Sequence, residues 1–168
     1  MLDKLSSQID KYSEPPLESW NPEFCGDIPL NIDANGQWHY QGTPFTRSAM
    51  VEMFARVLWL EEGKYYLKTP VEKVGIEVAD VPFLITECEA RPQGLWLTTS
   101  TRDSFYLSQA HPLSLRPYQG QPIPYVNVRR NLWARVHRNV FYQWADLAEE
   151  NKKGELWLAS AEYQARLG

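Results

Sequence analysis

The sequence predicts an α+β fold, β-rich, made of two related halves. Three observations carry that expectation. Twelve Pro and nine Gly are spread over 168 residues and punctuate the chain into short segments. Many of those segments alternate apolar and polar residues as half-buried strands do. One arrangement also occurs twice. Ile28-Pro29 precedes Trp38 by nine residues, counted from the proline, and Ile123-Pro124 precedes Trp133 by the same interval. A helical stretch follows each Trp, and a Gly then opens a strand, "GKYYL" at 63–67 and "GELWL" at 154–158. Trp-to-Gly is 25 residues in the first copy and 21 in the second, a difference of about one helical turn. Hairpin, helix, strand in both copies points to an internal duplication, because one copy alone has difficulty burying a face of its small sheet. The plain alternative is that hairpin–helix–strand is a common order. The expected organisation is an N-terminal helix over 1–16, a first half over 17–80, and a C-terminal β-rich half over 81–168 that holds the second copy.

Along the chain, Leu2, Leu5, Ile9 and Tyr12 recur at helical spacing, and Pro15-Pro16 stops that helix. Asn35-Gly36 marks a hairpin turn within 27–40. A helix is expected over 43–63, with Thr43 as cap, Pro44 at its first position and Gly63 just past its end. Its buried stripe would be Met50, Met53, Phe54, Val57 and Leu58. "KYYLKT" resumes a strand, and residues 81–107 read as a three-strand meander broken by "RPQG" and "TRD". "AHPLSLRPYQGQPIP", with four prolines, reads as a loop. "YVNVRRNLWARV" then forms a hairpin, "RNVFYQWADLAEE" a helix, and "GELWLAS" and "EYQARL" the last strands.

Composition narrows the function classes. The 43% hydrophobic content is enough for a real core, and seven Trp and nine Tyr supply large side chains for cores and pockets. No apolar run approaches the roughly 18 residues of a membrane span. The start lacks an apolar signal core, so the expected location is cytoplasmic. Cys25 and Cys88 belong to no paired motif and are expected as free thiols at buried or half-buried sites. His39, His111 and His137 lack metal-ligand spacing, and no cofactor or metal site is expected. A net charge of −4 argues against general nucleic-acid binding. That charge is uneven: residues 1–90 carry 7 Lys/Arg against 15 Asp/Glu, and residues 91–168 carry 10 against 6. An acidic and a basic half attract each other, and their join would carry a strong local field.

"NGQWHYQGTPFTR", "TPVEK", "AHPL" and "PYVNVRRNLWARVHRNVFY" together resemble an uncharacterised bacterial family, domain of unknown function 1285. The likeness covers residues 20–165 or thereabouts. It implies a fold of two related halves, the second loosely pleckstrin-homology-like. It also implies a groove between the halves suited to a nucleotide-like ligand, with a role in signalling. It implies no established reaction. Here Asn131 occupies a turn position where glycine is more usual, and Asn tolerates the left-handed conformation that such a turn needs.

Four constellations are candidates for chemistry. In "KTPVEKVGIEV", Leu67 and Val71 share one strand parity while Val74, Ile76 and Val78 share the other. The phase change calls for a bend or bulge at 70–73 that aims Thr69, Glu72 and Lys73 away from the core. Glu72 and Lys73 are either a weak surface pair or ligand contacts. Arg47 and Arg138 lie near the starts of the two repeat helices, where a cation opposes the dipole. Either an acidic neighbour, Glu52 or Glu72, offsets this, or an anionic ligand does. Of the arginines in "VRRNLWARVHR", Arg129 is the best ligand candidate and Arg130 sits in the turn. His111 is an acid/base candidate or a plain loop histidine bonded to backbone. The leading expectation is a non-catalytic module for a small anionic, nucleotide-derived ligand held between the halves. Arg47, Lys73, Arg129 and Arg138 would supply positive charge, and Tyr125 and Tyr142 would stack or donate hydrogen bonds. The alternatives are a phosphoester hydrolase or transferase using Glu72 and His111, and a protein-interaction module using the aromatic-rich strands.

Overall fold

Apolar alternation becomes paired strand in two separate sets. The computed structural model describes residues 2–168. The chain divides into two units, Met1–Asp80 and Val81–Gly168. Each unit has a six-stranded sheet of its own, so the fold is α+β, with two similar β-rich halves and few helices.

The first unit contains α1 (Leu2–Ile9), β1 (Phe24–Ile32), β2 (Trp38–Tyr40), β3 (Thr43–Pro44), α2 (Ser48–Ala55), β4 (Leu58–Glu61), β5 (Lys64–Lys68) and β6 (Lys73–Val78). Its sheet runs β3-β2-β1-β6-β5-β4, with β1 and β6 parallel. Ile28, Leu30 and Ile32 of β1 and Val74 and Ile76 of β6 are buried with Trp38, Phe54, Leu58 and Leu67. Helix α1 adds Leu5 and Ile9, both fully buried, to that core. Strand β1 is bulged twice against β6. Its partners step from Phe24–Lys73 to Asp27–Gly75 to Asn31–Glu77, so β1 uses more residues than β6 over the same length. Gly26, at φ +99°, supplies the left-handed turn of the first bulge.

Three expectations for this unit are corrected. The helix does not span 43–63. Thr43 and Pro44 pair with Tyr40 and His39, Arg47 occupies the cap position without a side-chain cap bond, and Leu58 onward is strand. Three apolar residues in a row, Leu58-Trp59-Leu60, fit a hairpin with Leu67-Tyr66-Tyr65 as well as they fit a helix face. Helix α1 likewise ends at Ile9, well before the prolines. Residues 69–72 are not a bulge within one strand. They are the turn of an antiparallel hairpin, β5–β6, closed by Thr69 N–H donating to the Glu72 carbonyl at 2.8 Å.

The second unit contains β7 (Phe83–Arg91), β8 (Gly94–Thr99), β9 (Ser104–Tyr106), β10 (Leu113–Tyr118), β11 (Gln121–Arg129), β12 (Leu132–Val136), α3 (Arg138–Leu147), β13 (Glu149–Glu150), β14 (Leu156–Ser160) and β15 (Tyr163–Arg166). Its six-stranded sheet runs β10-β11-β12-β7-β8-β9, and β13-β14-β15 form a smaller one. Phe83, Ile85, Leu97, Val126, Leu132, Ala134 and Val136 are buried with Val140 and Trp144 of α3. The Trp144 indole N–H donates to Cys88 Sγ at 3.3 Å, which seats α3 on β7. Cys88 is half-buried as expected, whereas Cys25 is exposed, and both are free. Ser160 ties the small sheet to the large one: its buried hydroxyl accepts from Leu95 N–H at 2.8 Å and donates to the Leu107 carbonyl at 2.6 Å.

The proline-rich stretch is corrected from loop to hairpin. Residues 113–118 and 121–129 pair in register, and Pro117 faces Pro122. Neither proline can donate, so that pair is a non-hydrogen-bonded one. By alternation Pro124, opposite Leu115, is another. The N–H groups that Pro122 and Pro124 lack would point away from β10, where β12 begins its pairing only at Tyr125, and that of Pro117 would point away from β11 to the open edge. The prolines therefore cost the ladder nothing.

The two copies superpose in logic. Trp38 lies opposite Ile32, and Trp133 lies opposite Asn127, each the third residue after its proline. Gly63 and Gly154 both have φ +78°. Each sits in the turn of a hairpin that follows the helix, β4–β5 and β13–β14, rather than opening a lone strand. Arg130 and Asn131 form the tight β11–β12 turn at φ +48° and +60°. Among the described residues no helix is long and apolar enough to cross a membrane.

Candidate functional site

Thr69 and Glu72 of the turn at 69–72 face inward, contrary to expectation, while Val71 is exposed. Thr69 is fully buried and Glu72 is nearly so. Thr69 Oγ1 accepts from Glu72 N–H at 3.0 Å and donates to Gln8 Oε1 at 2.6 Å. Gln8 Nε2 in turn donates to Glu72 Oε2 at 3.1 Å, and Lys4 Nζ lies 3.4 Å from the same oxygen. Glu72 is thus the receptor for helix α1. Lys73 points elsewhere. Its ammonium is 3.0 Å from Glu61 Oε2 and 4.8 Å from the centre of the Tyr66 ring. The Trp59 indole N–H and then Lys73 hold the Glu61 carboxyl below its usual range.

Arg47 and Arg138 are both exposed at the starts of α2 and α3. The expected acidic partner is not Glu72, which α1 occupies. Solvent screens both cations at these positions. The His137 side chain caps α3, its Nδ1 accepting from Asn139 N–H at 3.1 Å. Tyr142, on α3, is exposed.

His111 and Arg129 meet at one end of the second sheet. His111 Nδ1 is 3.1 Å from the Asn127 carbonyl, and its ring stacks on Phe105 at 4.2 Å. Two residues beyond Asn127, Arg129 reaches Asp103 Oδ1 at 2.8 Å and lies over Phe83. Asp103 Oδ2 accepts from Thr101 at 2.6 Å and from Thr99 at 3.2 Å.

The β10–β11 hairpin creates a constellation that sequence reasoning missed. Arg116, from β10, lies 4.0 Å from the centre of the Trp133 ring and 5.5 Å from that of Tyr125. Arg135, from β12, lies 3.9 Å from Tyr118 in the opposite direction across the strands. Tyr125 is buried beneath this face and Arg116 is half-buried on it. Among the described residues no carboxylate pairs with Arg116. Had residues 113–118 been read as strand, the alternation of Arg116 with Tyr118 and of Trp133 with Arg135 would have placed all four on one face.

The two units match known sequences separately. Residues 15–81 match the N-terminal domain of a family described as Domain of unknown function (DUF1285), and residues 82–164 match its C-terminal domain. The chain belongs to the DUF1285 family. A DUF1285 protein from Silicibacter pomeroyi DSS-3 is similar over 98% of this chain and 92% of its own, at 40% identity and a TM-score of 0.87. A second, from Shewanella baltica OS155, is similar over 71% of this chain and 91% of its own, at 29% identity and a TM-score of 0.59. No curated protein matches the chain.

Proposed function

We propose that this DUF1285 protein is a non-catalytic module that binds a small anionic, nucleotide-derived ligand and acts in signalling. Arg116 carries the reading. Its guanidinium lies 4.0 Å from the centre of the Trp133 ring and 5.5 Å from that of Tyr125, a cation on aromatic surface with no carboxylate partner among the described residues. A phosphate matches that fork with two parallel charge-assisted bonds, and a planar base finds aromatic surface beside it. The groups expected to act as acid and base support a binding role over a catalytic one. Glu72 is engaged by Gln8 and Lys4, and the His111 ring by the Asn127 carbonyl.

The test is a thermal-shift and calorimetric screen of the full chain with AMP, ADP, GDP and inorganic phosphate. A nucleotide at 100 times its dissociation constant adds about 2.7 kcal/mol to stability. Arg116→Gln abolishes that gain, Arg47→Gln leaves it, and chromatography recovers the nucleotide intact. Absence of any shift, or a shift that survives Arg116→Gln, refutes the proposal. Steady nucleotide turnover refutes its non-catalytic part.

A further inference from the structure

A groove of about 670 Å³ runs along the β1–β6 seam on the solvent side of the first sheet. Its walls come from alternate residues of those strands, Asp27 and Asn31 on one side and Gly75 and Glu77 on the other, with Gln41 and Lys64 at its borders. The double bulge in β1 makes the hollow, because the bulged strand bows away from its parallel partner. Gly75 is part of the design. A Cβ there would run into the Asp27 carboxylate, which instead lies across β6.

At one end of the groove the chain already binds an ammonium ion of its own. Lys64 Nζ is 2.8 Å from Asp27 Oδ1, 5.1 Å from the centre of the Phe24 ring and 5.6 Å from that of Tyr66. The two rings meet edge to face at 5.8 Å. A carboxylate with two aromatic faces is the chemistry that recognises organic cations. The nearby Lys73 is neutralised by Glu61. Phe24 is 51% exposed, so the cage opens to solvent. Along the groove, Glu77 has no ion-pair partner among the described residues. Asp27 lies opposite Gly75, so Glu77 stands two residues on, about 6.5–7 Å along the strand. An extended aliphatic diamine separates its two ammonium groups by a like distance.

We propose that this groove binds an aliphatic diamine, one ammonium taking the Phe24–Tyr66–Asp27 cage from Lys64 and the other meeting Glu77. Lys64 is then a built-in competitor that sets a threshold concentration for the ligand. The site lies wholly in the first unit and selects cations, so it stands or falls independently of the Arg116 reading.

Calorimetric titration of the full chain with 1,4-diaminobutane tests it, with 1-aminobutane as the single-charge comparison. Lys64→Gln vacates the cage and is expected to tighten diamine binding by about tenfold. Asp27→Asn in the Lys64→Gln background removes binding, and Glu77→Gln lowers the diamine's affinity to that of the monoamine. All three positions are on the surface, and thermal melts verify that each variant is folded. No heat with either amine in the Lys64→Gln protein overturns the proposal. So does binding that survives Asp27→Asn, or equal affinity for diamine and monoamine in the Lys64→Gln protein.

Discussion

Ser160→Ala removes one oxygen and should destabilise the second unit more than most single-atom deletions. The hydroxyl is buried, at 3% exposure, between a backbone group of β8 and one of the residue that follows β9. It accepts from Leu95 N–H at 2.8 Å and donates to the Leu107 carbonyl at 2.6 Å, and Leu95 and Leu107 are themselves buried. Alanine fits the space but satisfies neither group. Each orphaned buried polar group costs about 1–3 kcal/mol, and recovery of the hydroxyl's own desolvation offsets part of the pair, leaving about 2–4 kcal/mol. Neighbouring backbone offers little relief. Gly94 sits beside the hydroxyl at φ +133°, so the strand cannot slide in without disturbing a conformation only glycine adopts readily. Urea unfolding followed by tryptophan fluorescence measures the loss, with Ser104→Ala as the exposed-hydroxyl comparison, expected within about 0.5 kcal/mol of wild type. A Ser160→Ala cost below about 1 kcal/mol would refute the reasoning, because it would mean that water or a backbone shift satisfies both groups.

Two further outcomes are expected. Thr69→Val keeps the shape of the β5–β6 turn but removes the oxygen that accepts from Glu72 N–H and holds Gln8, and should cost about 1–3 kcal/mol in urea unfolding. Asp33 gives a pH signature. Burial alone would raise its pKa, but bonds from His39 and from the Gln37 and Asn35 N–H groups outweigh this and lower it. A lowered folded-state value means stabilisation present above the unfolded pKa of about 3.9 and lost as pH falls through the folded one. The stability gap between wild type and Asp33→Asn should therefore be open at neutral pH and close on acidification below that value. A gap that widens in acid would contradict the assigned bonds.

Much of the architecture was legible because it is local. The Ile-Pro and Trp spacing found both hairpins, and the structure gives them the same register, with Trp38 opposite Ile32 and Trp133 opposite Asn127. Asn131 marked its own turn by tolerating a positive φ. Errors arose where one signal serves two structures. Thr43-Pro44 is a good helix start and also a good short strand. Four prolines in fifteen residues normally spell loop, but here three of them fall in paired strands, and Pro117, Pro122 and Pro124 sit where no donor is needed. The sites were harder still. Glu72 is claimed by Gln8, sixty-four positions away, and no periodicity reports a contact of that kind. Arg116 was invisible as soon as its strand was taken for loop. The groove over Gly75 arises from a mismatch in residue count between β1 and β6, a property of the pairing and not of either strand.

The facing prolines of the β10–β11 hairpin have one more effect. Strand β10 borders its sheet, and an outermost strand normally offers a row of open amide groups to any passing chain. Pro117 leaves the far end of that row without a donor, and at its beginning the Tyr163 hydroxyl accepts from Leu113 N–H at 2.9 Å. A neighbouring molecule could not zip along this margin without meeting a position that has nothing to give. The residues that disguised the strand thus also protect it from sticking to its own kind.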